Sequence, residues 1–438
     1  MKPLLLLAVL TSLASAQGPL TPPGAPAPTM KTLAQIEPRT PLGGNPTAFV
    51  NITNPGSYYL VSDVAGLGIN ASSITLDLNG FTVKEAINTL GIGIGTGFKD
   101  ISIRNGSVVG SGVWTQGAIP KTGTYSGNAG FGIYTARVLG LVSSQGINIE
   151  KVTVRGFYTA IALDGFSTIS AGRNRISNCI VRDFGSAGID ANTTDITDTI
   201  VSNGSGVGVR GVIFTTENLL IYQIDGNGLE DNGASIHRGT VVREISFYGI
   251  KGGNFSISGA NISSCGADGI RGDSLQIENC TSSYNDSAGI FSPNSTIKNC
   301  LARANGNTGI WADNSVISDC KVREGATDGI RGDNSSISAV VVTSCGGNGI
   351  RGNNSSISAA AATNCVGNGI LGDSLQIENC TAANNTGSGI FSPNSTIKNC
   401  MARGNQGIWL EKLRNWGGVE DERDGLGGFA LIGLKPTR

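Results

Sequence analysis

Gly289-Ile290-Phe291-Ser292-Pro293-Asn294-Ser295-Thr296-Ile297-Lys298-Asn299-Cys300 returns, residue for residue, as Gly389 to Cys400. A shorter step lies inside that copy. The Gly-Ile pair recurs at Gly249-Ile250, Gly269-Ile270, Gly289-Ile290, Gly309-Ile310, Gly329-Ile330, Gly349-Ile350, Gly369-Ile370 and Gly389-Ile390, 20 residues apart each time. A second isoleucine follows each pair by seven residues, from Ile257 to Ile397. A unit this short cannot bury a core alone, so a fixed period of this length means stacked coils that cover one another's apolar faces.

Each coil can be read by column. Two residues after the Gly-Ile isoleucine stands a small residue (Gly252, Gly272, Ser292, Ala312), and two further on an Asn or Ser (Asn254, Ser274, Asn294, Asn314) that suits a tight turn. The next strand carries the second isoleucine. A bend follows, and then a third strand with a column of Cys or small apolar residues: Ala260, Cys280, Cys300, Cys320, Val340, Ala360, Cys380, Cys400. Each strand would pair in parallel with its copy about 4.8 Å away, and parallel crossovers are right-handed. The expected fold is therefore all-β, a right-handed three-faced parallel β-helix (a solenoid) with coils of about 20 residues.

Working outward, Gly228-Leu229, Gly208-Val209 and Gly188-Ile189 carry the step back, with one extra residue before Gly249. The β-helix spans 49–409, with regular coils over 188–409. The earlier coils are irregular, with strands expected at 49–52, 57–61, 74–78, 81–83 and 101–104. Residues 110–138, which hold Trp114, Tyr125, Phe131 and Tyr134, read as a long loop. Residues 1–16 read as a secretory signal: Lys2, an apolar run from Leu4 to Leu13, and the small residues Ala14-Ser15-Ala16. Residues 17–30 form a proline-rich linker, and 31–48 a short N-terminal cap over the first coil. The charged segment 410–438 fits either a capping helix, from the spacing of Trp409, Leu413 and Trp416, or a disordered tail.

The signal places the mature chain outside the cytoplasm, secreted or at the cell surface or periplasm. No segment has the unbroken apolar length of a membrane span. With a net charge of -1 there is no basic excess, which argues against nucleic acid as a partner. Nine cysteines in an exported chain raise the question of disulfides. In-register stacking, however, would hold the β-carbons of Cys280, Cys300 and Cys320 near the strand spacing, beyond the preferred disulfide separation. The thiols are expected to be mostly free, acting as small buried apolar groups. Asn285, Asn305, Asn385 and Asn405 share a column with Cys265, Cys345 and Cys365 and read as an inward asparagine ladder.

Leu33-Ala34-Gln35-Ile36-Glu37-Pro38-Arg39-Thr40-Pro41, then Pro55-Gly56-Ser57-Tyr58-Tyr59-Leu60 and Ile74-Thr75-Leu76-Asp77-Leu78-Asn79-Gly80-Phe81, resemble exported bacterial right-handed β-helix repeat proteins of the pectin-lyase-like superfamily. The resemblance covers about 32–408. It implies the fold but not the chemistry, because that superfamily includes lyases, hydrolases, epimerases, adhesins and phage spikes. The superfamily's enzyme motifs are absent here: the calcium-holding aspartates with an arginine base, the three aspartates with Gly-His-Gly, and Asp-Pro-His-Glu. The single histidine, His237, reads as a surface strand residue.

Three sets of residues remain as candidates. Asp183, Asp190, Asp195 and Asp198, with Asp225, Glu230 and Asp231, are the acids available for glycoside chemistry. Asp313 and Asp333 fall one coil apart in one column, close enough to share Ca2+. Pro293, Asn353 and Pro393 share that column, however, which suits a plain turn better, and no other cofactor is implied. The column after Gly-Ile holds Arg271, Phe291, Trp311, Arg331, Arg351 and Phe391, an outward strip suited to a sugar ring or an acidic glycan. Two functions follow. One is a non-enzymatic surface or envelope module that contacts an extracellular or cell-envelope polysaccharide. The other is a polysaccharide lyase or glycoside hydrolase acting on polyuronates, with loop 110–138 as its cleft wall.

Overall fold

The computed structural model describes residues 39–86, 90–118, 121–136, 144–163, 173–407 and 410–417, the last of these by backbone alone. The signal, the linker, most of the cap and the tail beyond 417 lie outside the described residues. Every regular element among them is a β-strand, and no helix there is long and apolar enough to cross a membrane.

Each strand pairs in parallel with its counterpart one coil on. Ile270 pairs with Ile290, Ile277 with Ile297 and Thr281 with Leu301, one pairing on each of three faces. The chain is thus a three-faced parallel β-helix, and both isoleucine columns are buried along its axis. Corners arise where residues adopt the left-handed conformation at intervals of five: Ser274, Asn279 and Tyr284 in one coil, Asn294, Asn299 and Ala304 in the next. Asn relieves the cost of that conformation by local hydrogen bonding, which explains its frequency at these positions. Ala339 and Ala359 adopt it without such help, so the stack imposes the corner. The cysteine column falls at a corner rather than inside the third strand. Cys280 lies between Gln276–Glu278 and Thr281–Ser283, and its thiol donates to the Glu278 carbonyl at 3.2 Å.

The glycine of each Gly-Ile pair is required by close approach. A β-carbon at Gly309 would lie 2.7 Å from the Gly329 carbonyl oxygen, and one at Gly349 would lie 2.6 Å from that of Gly369. Buried polar groups are paired along the axis, as they must be. Asn285 Nδ2 donates to Asn305 Oδ1 at 2.9 Å, and Asn385 Nδ2 to Asn405 Oδ1 at 2.9 Å, so the asparagine ladder is present. A second ladder was not legible in the sequence. Ser315, Ser335 and Ser355 each accept the backbone N–H of the residue one coil earlier, at 2.9, 3.1 and 3.0 Å.

In the irregular half the expected strands appear as Val50–Ile52, Gly56–Leu60, Ile74–Asp77, Thr82–Lys84 and Lys99–Val109. The expected loop 110–138 is not a loop. Val113–Gln116 and Gly123–Ser126 form an antiparallel hairpin, and Phe131–Thr135 joins the stack between Leu90–Ile94 and Gln145–Leu163. The sequence did carry a signal for this: Gly91-Ile92 and Gly132-Ile133 repeat the Gly-Ile pair, spaced apart by the inserted hairpin.

The hairpin lies along a corner of the stack. Tyr125 donates to the Gly156 carbonyl at 3.3 Å, Gly123 N–H to Asp225 at 3.4 Å, and Lys121 Nζ reaches Asp286 at 3.2 Å. The extra residue also has a place. Gly211 pairs with Asp231 but Thr215 pairs with Ile236, so the insertion sits in the turn between them. At the far end Leu410–Gly417 is a strand paired with Ile390–Lys398, so the capping-helix alternative does not apply over those residues.

All nine cysteines are free and buried. Burial pushes the Cys179 thiol up to about 11 and that of Cys265 up to about 12. Hydrogen bonding to Cys300, together with burial, likewise raises Cys280 and Cys320. The neighbouring thiols that donate to Cys300, Cys365 and Cys400 lower those three instead, but all nine are buried away from reagent, so the folded protein should resist alkylation at mild alkaline pH, and nine thiols should label once it is unfolded. Mass spectrometry after labelling, with and without reductant, checks this. Rapid labelling of the folded chain, or intact disulfide bridges, would contradict it.

Candidate functional site

One outward column runs down a single face, one residue per coil: Asp190, Arg210, Glu230, Lys251, Arg271, Phe291, Trp311, Arg331, Arg351, Leu371 and Phe391. It appears because each strand of this face is only a few residues long, with the isoleucine inside and the next residue outside. The column changes character along its length. Its first part is ionic, with Arg210 bonded to Asp190 at 2.7 Å. From Lys251 onward it is a stack of cations and rings.

In that stack, Arg271 lies over Phe291 at 4.6 Å and beside Tyr248 at 5.2 Å. Phe291 meets Trp311 edge to face at 5.0 Å, and Arg331 sits 4.0 Å over the Trp311 ring. Arg271 is bonded to Asp268 at 2.8 Å. Arg351 lies 3.7 Å from Asp328. Arg331 differs from these: its Nε is buried and has no hydrogen-bond partner.

Asp313 and Asp333 flank this column, and their carboxylates serve the neighbouring structure. Asp313 accepts the Trp311 indole N–H at 3.0 Å through one oxygen and the Asp333 backbone N–H at 2.9 Å through the other. It thereby fixes the ring plane of Trp311. Asp333 Oδ1 accepts the Asn353 N–H at 2.7 Å and its side-chain amide at 3.1 Å. Among the described residues no group of three or more His, Cys, Asp or Glu side chains is gathered as metal ligands would be.

The remaining acids are dispersed rather than convergent. Asp183 is held by Arg182 and Asn203, both at 3.3 Å. Asp195 is bonded to Arg173 at 2.7 Å and to Thr215. Asp198 accepts from Asn218 at 3.1 Å, and Asp225 is tied to the hairpin. Asp190 and Glu230 share the outward column two coils apart, roughly 10 Å by the strand spacing, with Arg210 between them. Glu230 accepts from Asn227.

Asp231 and His237 overturn two expectations. Both are 0 % exposed, so neither a surface histidine nor a ligand-accessible Asp231 exists here. His237 occupies the second-isoleucine column, between Thr216 and Ile257, which counting 20 residues back from Ile257 would have revealed. A carboxylate can only accept, so His237 Nε2 donates to Asp231 at 3.1 Å, leaving Nδ1 to face the Thr216 hydroxyl at 3.1 Å. Ser235 and the Gly233 N–H complete the shell of Asp231 at 2.9 Å each. Phe214 and Phe255 pack against the imidazole, with ring centres 5.0 and 5.3 Å away. The cluster is sealed and its groups are satisfied, as a structural element would be.

No family model matches this sequence, and no curated protein matches it. Among solved structures, the chain is similar to the A-module of mannuronan C-5 epimerase AlgE6 of Azotobacter vinelandii, at 15% identity over 79% of this chain and 90% of that one, with a TM-score of 0.42. It is similar also to the AlgE4 A-module of the same organism, at 16% identity over 85% and 91%, TM-score 0.31. A third is the Dettilon tailspike protein, at 12% identity over 81% and 61%, TM-score 0.33. These likenesses are of fold.

Proposed function

We propose that this chain is an exported β-helix that binds a polysaccharide along its outward cation–aromatic strip, without turning it over. One observation supports the reading above the rest: Phe291, Trp311 and Arg331 form one outward plate of rings and guanidinium, its indole pinned by Asp313. A sugar ring can pack its C–H face across the outer edge of such a plate, and the terminal guanidinium nitrogens can donate to a hydroxyl or carboxylate. Asp313 keeps the plate in position, so little ordering is left for binding to supply. Export rests on residues 1–16.

The expected result is retention of neutral or acidic oligosaccharides on an immobilised glycan panel without product formation. Trp311→Ala should weaken binding at least roughly tenfold, about 1.4 kcal/mol, while leaving the melting temperature nearly unchanged, because the residue points outward. Undiminished binding by this variant would remove the site.

A second function is favoured by one geometric fact. Asp190 and Glu230 stand in one outward column two coils apart, roughly 10 Å by the strand spacing, near the upper end of the carboxyl separation in inverting glycosidases. Against it, Arg210 fills the gap where a water would stand. Incubation with polyuronates and neutral glycans, with and without calcium, separates the two functions: any unsaturated or shortened product favours catalysis.

A further inference from the structure

The duplicated block provides an internal comparison. Its first copy places Arg271, Gly272 and Asp273 one coil before Phe291 and Pro293, and its second places Leu371, Gly372 and Asp373 before Phe391 and Pro393. The carboxylates are set alike. Asp273 accepts from Asn294 at 2.6 Å and Ser274 at 3.0 Å, and Asp373 from Asn394 at 2.9 Å and Ser374 at 3.1 Å. The two copies differ above the phenylalanine. In the first copy the Arg271 guanidinium lies 4.6 Å over the Phe291 ring, held by Asp268. In the second copy leucine stands in its place and Asn368 in that of Asp268. There the surface opens into a cavity of about 270 Å³ lined by Arg351, Asn353, Leu371, Asp373, Phe391 and Pro393.

We propose that this cavity is a subsite for a single neutral sugar ring, an inference that rests on the face being a glycan-binding surface. Its volume falls just below the roughly 300–1,000 Å³ of pockets for drug-sized ligands, which suits one ring. Leu371, Phe391 and Pro393 give an apolar wall for a pyranose C–H face. The rim carries an acceptor-only carboxylate at Asp373, a donor-only guanidinium at Arg351 and an amide at Asn353. A hydroxyl both donates and accepts, so adjacent ring hydroxyls can satisfy Asp373 and Arg351 together. The rim's two charges cancel. A ring bearing a carboxylate gains at Arg351 and loses at Asp373, so the subsite prefers an uncharged ring. In the first copy the Arg271 guanidinium covers the corresponding ring, Phe291.

The intact chain is titrated calorimetrically with two sets of probes: neutral gluco-, manno- and xylo-oligosaccharides, and matched uronate oligomers. Leu371→Arg should cover Phe391 as Arg271 covers Phe291, weakening neutral oligosaccharide binding roughly tenfold or more without weakening uronate binding. Arginine already stands at four other positions of this column (Arg210, Arg271, Arg331 and Arg351), so the fold should accept it. Phe391→Ala, which strips the wall instead, serves as the second variant and should give the same loss. Equal neutral binding by both variants, no neutral binding by the native chain, or a native preference for the uronate would each overturn the subsite. If Trp311→Ala still loses affinity in those cases, glycan binding by the strip stands without it. If no probe binds at all, the glycan function itself has failed.

Discussion

His237→Ala should lower stability by about 3–5 kcal/mol, the usual cost of removing one partner from a buried charged or strongly hydrogen-bonded pair. The substitution empties a position flanked by Phe214 and Phe255 and leaves a carboxylate oxygen of Asp231 facing a void. The loss therefore combines an apolar cavity with an unpaired buried acceptor. The coils that follow suggest the rescue. They carry isoleucine in the histidine column and mostly glycine or another small residue in the Asp231 column. The double replacement His237→Ile with Asp231→Gly should recover most or all of the loss, since well-packed apolar substitutes for buried pairs are neutral or stabilising by about 1–4 kcal/mol. Guanidinium unfolding midpoints of the three proteins give the order. If the single and double variants are equally weak, the pair is not what holds this coil.

Gly329→Ala adds one methyl group and should be nearly as costly. The new β-carbon would stand 2.2 Å from Val342 Cγ1 and 2.6 Å from the Gly349 carbonyl oxygen. The valine can turn, but the carbonyl cannot, because it already accepts the Ile330 N–H at 2.9 Å. The two coils must separate, which weakens the ladder on both sides of the substitution. Overpacking of this kind costs about 1–3 kcal/mol and sometimes more. Gly93 is the matched control, on the same face with nothing within 4 Å of its would-be β-carbon. Gly93→Ala should be almost silent. Equal thermal shifts for the two variants would show that the glycine column is kept for some other reason.

What was readable in the sequence was whatever repeated. The isoleucine columns, the Asn corners and the asparagine ladder each fall every 20 residues, so position alone places them inside or at a bend. The strip was readable as a column too, but not its pairings. Nothing in the spacing says that Arg271 takes Asp268 while Arg331 is left with a free Nε, because those outcomes depend on side chains from different columns meeting at a corner. The acids failed as a cluster because neighbours in sequence point to different faces of one coil: Asp190 lies on the strip while Asp195 lies on the next sheet. His237 was misplaced because the inserted residue in the turn before it shifts the frame by one. The hairpin was missed because what holds it to the stack, Gly156, Asp225 and Asp286, lies far from it in sequence.

That hairpin changes how the stack comes apart. In a solenoid joined only from each coil to the next, opening proceeds from an end, one turn at a time. Here a single arm reaches from Gly156 past Asp225 to Asp286, so the turns between cannot peel away singly until the arm lets go. The chain has a latched half and an unlatched half, and mechanical unzipping should run freely from the carboxyl end only as far as the latch.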